Sequence, residues 1–118
     1  MLLIEKKWYR LNETNVSRVP RLSGVYELGG TGAIVVYIGW APGESLQDAL
    51  RAHIKDPNNM CIARHAFFFR FELSDSPEQK AAQLLGAFRA ERFGVLPECM
   101  QDEAAGQAQH SRAATKSS

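Results

Sequence analysis

Between positions 24 and 39 the apolar residues fall into two short runs, Gly-Val-Tyr-Glu-Leu and Ala-Ile-Val-Val-Tyr-Ile-Gly, separated by Gly29, Gly30, Thr31 and Gly32. Val, Ile and Tyr favour a pleated backbone and the glycines supply a turn, so the pattern predicts a β-hairpin. If Leu28 faces Ala33 across that loop, Tyr26 lies opposite Val35, and alternation puts Tyr26, Val35 and Tyr37 on one face of the sheet. The second run, 33–38, is apolar at successive positions, which predicts a central strand covered on both faces. Further on, residues 66–73 set Phe67, Phe69, Phe71 and Leu73 against Ala66, Phe68, Arg70 and Glu72, the period of a third strand.

Helical spacing takes over elsewhere. Leu46, Ala49, Leu50, His53 and Ile54 mark one face of a helix that starts at Ser45, with Asp48 in its first turn, and stops in residues 55–59. Residues 60–65 read as an irregular connection. Ser76-Pro77-Glu78-Gln79 is a helix start, with Ser as the cap, Pro at the first helical position and Gln three residues after the cap. Ala81, Leu84, Leu85 and Phe88 form the buried face of that helix, and Gly94 is its stop. Residues 1–22 read as a lead-in with one helical turn before Pro20 and with Trp8 as a core anchor. The expectation is an α+β fold: one domain over 1–100, then a disordered tail over 101–118, where large apolar side chains are missing.

Composition narrows this only a little. A chain of 118 residues with 45% hydrophobic and 23% charged residues has material for one core. Its net charge of +1 lacks the strong basic excess of a dedicated nucleic-acid binder, although a basic patch fits within a neutral total. The opening Met-Leu-Leu-Ile meets Glu5, Lys6 and Lys7 at once, so no run suits a signal peptide or a membrane span, and the expected location is the cytoplasm. Cys61 and Cys99 are too few for a zinc site by themselves, and free thiols are the expected state.

Gly24-Val25-Tyr26 and Tyr37-Ile38-Gly39 together resemble the two strands that name the GIY-YIG nuclease superfamily, with Val for the first Ile. The resemblance spans residues 8–100. It implies a three-stranded antiparallel sheet flanked by helices. In active members two tyrosines, an Arg on the first helix and a metal-binding Glu on a later helix cut one phosphodiester bond. Carried over residue by residue, it makes Tyr26, Tyr37 and His53 the candidate catalytic side chains. His53 matches the last position of the family's Leu-x-x-Arg-Leu-x-x-His pattern, as Leu46 and Leu50 match its leucines. The Arg position falls on Ala49, and Arg51 points about 200° around the helix from it.

Other departures follow along the chain. Trp40 replaces the basic residue expected after Tyr-Ile-Gly, and Met100 replaces the Asn of a Pro-x-x-Asn ending at Pro97. The metal-binding Glu aligns with Gln83, a neutral amide that suits a hard cation poorly. Glu78 and Glu91 stand in the first and last turns of that helix. No metal site is therefore expected, and Mg²⁺ or Mn²⁺ would enter only in an active nuclease. With Trp40, Arg51, Lys55, Arg64 and Arg70 as candidate contacts to DNA or RNA, the first reading is a degenerate domain that binds nucleic acid without efficient cleavage. A divergent metal-dependent endonuclease using Glu78 or Glu91 is the second reading. A protein-interaction module is the third.

Overall fold

The computed structural model describes residues 6–55 and 59–101, with Lys55 given by its backbone alone. The expected disordered tail therefore lies outside the described residues from 102 onward. The described elements are β1 (Tyr9–Arg10), α1 (Glu13–Val16), β2 (Gly24–Gly29), β3 (Val35–Ala41), α2 (Leu46–Lys55), α3 (Met60–His65), β4 (Phe68–Leu73) and α4 (Pro77–Glu91). All strand pairs are antiparallel, in the order β1-β4-β2-β3. The sheet thus has four strands where three were expected. The extra one is the two-residue β1, too short to leave a periodic signal in the sequence.

The order also corrects the reading of 33–38 as a central strand. Every residue of β2 is buried because β3 and β4 flank it, whereas β3 is an edge strand. Its two apolar faces have another cause: α4 packs on one side of it and α2 on the other. The hairpin register differs as well. A 3₁₀ turn at Thr31–Ala33 lengthens the loop, the Gly30 N–H donates to the Ile34 carbonyl at 2.8 Å, and Leu28 pairs with Tyr37 rather than Ala33. That shift is even, so Tyr26 and Tyr37 keep a common face. Gly29 pairs with Val35, which leaves Val36 as a bulge, and Val35 passes to the opposite face.

Two apolar layers enclose the sheet. On one side Tyr26, Leu28 and Phe69 meet Val16, Leu46, Leu50, Ile62 and Cys99 from the helices and the segment after α4. On the other, Val25 and Ile38 meet Ala81 and Leu84 of α4. Gln47, 8% exposed, closes the first layer by using its whole amide. Its Nε2 donates to the Ser17 and Val19 carbonyls at 3.1 and 3.0 Å, and its Oε1 accepts from Arg21 at 3.0 Å. Trp8 is half-buried rather than a core anchor, its ring 4.3 Å from the Arg70 guanidinium carbon.

Three further expectations change in detail. Residues 60–65 are helical because Asn59 Oδ1 accepts the Ile62 N–H at 3.1 Å and caps the first turn. Ser76 precedes α4 without a side-chain cap bond, and its own N–H donates to Ser74 Oγ at 3.0 Å. Cys61 and Cys99 are joined in a disulfide, with Cα atoms 5.4 Å apart, and are not free thiols. Gly94 does end α4: at φ 86 its N–H reaches the Arg89 carbonyl at 2.7 Å. Among the described residues no helix is long and apolar enough to cross a membrane.

Candidate functional site

Adjacent strands β2 and β3 carry Tyr26 and Tyr37 on the face that α2 crosses, and the face of α2 that buries Leu46 and Leu50 also turns His53 toward them. The phenol rings stack with centroids 6.2 Å apart at 22°. His53 meets both edge-on, with centroids 5.5 Å from Tyr26 and 5.0 Å from Tyr37. A hydrogen bond of 2.7 Å joins Tyr26 Oη and His53 Nε2. With the imidazole proton on Nδ1 the phenol donates, and with the proton on Nε2 the ring donates. The imidazole tautomer therefore sets the direction of this bond. Tyr26 is 4% exposed, and its ring lies directly over Gly39, where any Cβ would overlap the Tyr26 Cζ and hydroxyl.

Because β3 is an edge strand, a cleft of about 360 Å³ wraps around it and reaches both faces of the sheet. Tyr26, Tyr37, Trp40, Glu78, Leu85 and Met100 are among its walls, and among the described residues no Lys or Arg lines it. The carboxylate that shares the cleft with the tyrosines is that of Glu78, in the first turn of α4 on the other face of the sheet, while Gln83 and Glu91 are exposed and do not border the cleft. The sequence held a signal for this. Positions 78, 81, 82 and 85 share one helical stripe, and Ala81 and Leu85 had already been assigned to the packed side. Met100 stands where the resemblance placed Asn, and its Sδ accepts the Ile38 N–H at 3.4 Å. Ala49 is half-buried against the core.

The candidate nucleic-acid contacts are scattered. Trp40, 41% exposed, stands at the cleft. Arg51 points to α1, where its Nε donates to both Glu13 oxygens at 3.0 and 2.9 Å, and that bond raises its pKa further. Arg70 lies on the sheet face away from the tyrosines, bonded through Nε to Glu27 at 2.7 Å, with side-chain exposures of only 16% and 5%. Burial holds the Glu27 carboxyl above its ordinary pKa although Arg70 pulls it down. Arg64 is exposed in the last turn of α3, and Lys55 ends α2. Among the described residues no group of three or more His, Cys, Asp or Glu is placed to hold a metal ion.

Residues 1–91 match the model of a family described as "Domain of unknown function (DUF7508)". The chain belongs to that family. A search of curated proteins finds no match for this DUF7508 chain. Among solved structures, the GIY-YIG N-terminal endonuclease domain of UvrC from Thermotoga maritima, bound to magnesium as its catalytic divalent cation, matches with a TM-score of 0.53. The identity is 20%, over 73% of this chain and 91% of that one. A point mutant of the same domain matches with a TM-score of 0.53 and 19% identity, over 73% of this chain and 90% of that one. At that identity the likeness establishes the fold, which is GIY-YIG-like.

Proposed function

We propose that residues 1–100 form a GIY-YIG-like domain that binds DNA or RNA in the cytoplasm without cutting it efficiently, and that residues 101–118 are its tail. The observation that carries this reading is the lining of the cleft: phenols and an indole share it with the Glu78 carboxylate, and among the described residues no Lys or Arg lines it. Phosphodiester cleavage needs positive charge where the phosphate charge develops, and losing one such group commonly costs about 10²–10³ in rate. A carboxylate alone repels the phosphate. Binding is supported by the fold and by the exposed Trp40, an indole on which an unpaired base can stack.

The test is fluorescence anisotropy with labelled single-stranded and duplex oligonucleotides over a salt series. Affinity should fall with salt only as far as cations outside the cleft, such as the exposed Arg64, contact phosphate, and Trp40→Ala should weaken single-strand binding by roughly 10-fold while affecting duplex binding less. Absence of binding at low salt overturns the reading in favour of a protein-interaction module. A second reading, the divergent metal-dependent endonuclease, is favoured by Glu78 standing in the same cleft as Tyr26 and Tyr37. One carboxylate is a thin donor set for Mg²⁺. Nicking of supercoiled plasmid in Mg²⁺ or Mn²⁺ that disappears in Glu78→Gln would establish that reading.

A further inference from the structure

Cys99 and Met100 are consecutive, and each holds a different part of the molecule. Cys99, 4% exposed, is bonded to Cys61 of α3. Met100 lines the cleft, packs on the Val25, Ile38, Ala81 and Leu84 cluster, and accepts the Ile38 N–H. That N–H points away from the sheet because β3 is an edge strand, so the thioether covers an open edge donor.

The other bonds of this segment locate it weakly. Met100 N–H donates to the Pro97 carbonyl at 2.9 Å, and Gln101 Nε2 donates to the Leu96 carbonyl at 3.0 Å. Both are local to the helical turn of residues 98–101 and its lead-in, and do not fix it to the sheet. Glu98 reaches His65 at 3.4 Å, but the two side chains are 59% and 44% exposed. Among the described residues, beyond the burial of Pro97 and Cys99, the firmest tether is covalent.

We propose that the Cys61–Cys99 disulfide is a redox-sensitive latch on the cleft: intact, it holds Met100 against the edge of β3, and reduced, it releases the 98–101 turn and uncovers that edge. The inference is independent of what the cleft binds. Cys61 is half-buried on a short helix whose Met60, Ala63 and Arg64 are exposed, whereas Cys99 is enclosed, so attack comes at Cys61. A thiolate of a dithiol reductant bonds to Cys61 Sγ. The S–S bond breaks, and Cys99 leaves with the electron pair and takes up a proton. The second thiolate then displaces Cys61, which is protonated in turn. The protein gains two electrons and two protons, and the dithiol becomes a disulfide.

Amide hydrogen exchange on the full chain, oxidised and in dithiothreitol, tests this. Reduction should speed exchange at Ile38 by about tenfold more than at β2–β4 ladder amides such as Glu27, and should change Trp40 emission. Met100→Ala should reproduce the Ile38 effect in the oxidised chain. Cys61→Ser with Cys99→Ser should behave as the reduced protein and ignore reductant. Equal acceleration at all these amides, or none at all, would make the bond a passive staple and overturn the proposal. So would outright unfolding of the reduced chain.

Discussion

At the scale of single residues, the Tyr26–His53 pair exists because Gly39 has no side chain. The Tyr26 ring occupies the space of the missing Cβ. Gly39→Ala should therefore destabilise the fold by about 1–3 kcal/mol, since a buried ring has to move to admit a methyl group. Tyr26→Phe keeps the ring and loses the bond to His53, a milder cost of about 1 kcal/mol. Urea denaturation of both variants and their double mutant checks this. The two costs should fail to add, because the displaced ring of Gly39→Ala has already weakened the bond that Tyr26→Phe removes. The GIY-YIG resemblance made the two tyrosines and His53 legible in the sequence, since strand parity and helix spacing are local rules. Glu78 was harder to see, because helix spacing puts it on the right stripe but does not say that the stripe borders the tyrosine cleft.

At the scale of elements, β2 and β4 are tied across their shared ladder by Glu27 and Arg70, which are directly opposite one another. Arg70→Met should cost about 3–5 kcal/mol, because it strands a carboxylate that is 5% exposed. Arg70 also gives up its stack on Trp8 in that variant. The pair sets a pH dependence whose sign is fixed by burial. Glu27 holds its proton more tightly when folded than when unfolded, because its folded pKa is raised. Its contribution to stability is full below the ordinary carboxylate value and is lost as pH rises through the raised one. Between about pH 4 and pH 7, wild type should thus lose stability relative to Glu27→Gln as pH increases, read as the difference in urea midpoints. A difference that grew in the other direction would mean that Arg70, not burial, dominates the site.

At the scale of the molecule, the Cys61–Cys99 bond closes a loop between residues 38 apart in sequence and fastens the segment after α4 to α3. Loop-closure entropy for that length makes the bond worth about 4 kcal/mol. A domain of this size typically has about 5–15 kcal/mol in total. Reduction should lower the guanidinium midpoint substantially, and Cys61→Ser in non-reducing buffer should match the reduced wild type. Near-identical midpoints with and without reductant would show that the denatured chain gains little freedom from the break. The sheet order has a matching consequence. With β4 and β2 inside and β3 at the rim, the cleft can open to both layers, which lets a tyrosine on one face and a carboxylate on α4 share one space.

By itself the sequence determined the elements whose causes are local. The hairpin strands, the alternation of β4, the spacing of α2, and the start and stop of α4 at Pro77 and Gly94 all follow from periodicity and backbone preference within a few residues. It also determined that Tyr26 and Tyr37 share a face, because the register error it allowed was an even one. Only the tertiary structure decided the addition of β1, the place of β3 at the edge, the pairing of Glu27 with Arg70, the bond between Cys61 and Cys99, and the position of Glu78 in the cleft. Each of those depends on which surfaces meet across long stretches of chain, and burial of an apolar face is non-directional: periodicity shows that the face must be covered but does not name what covers it.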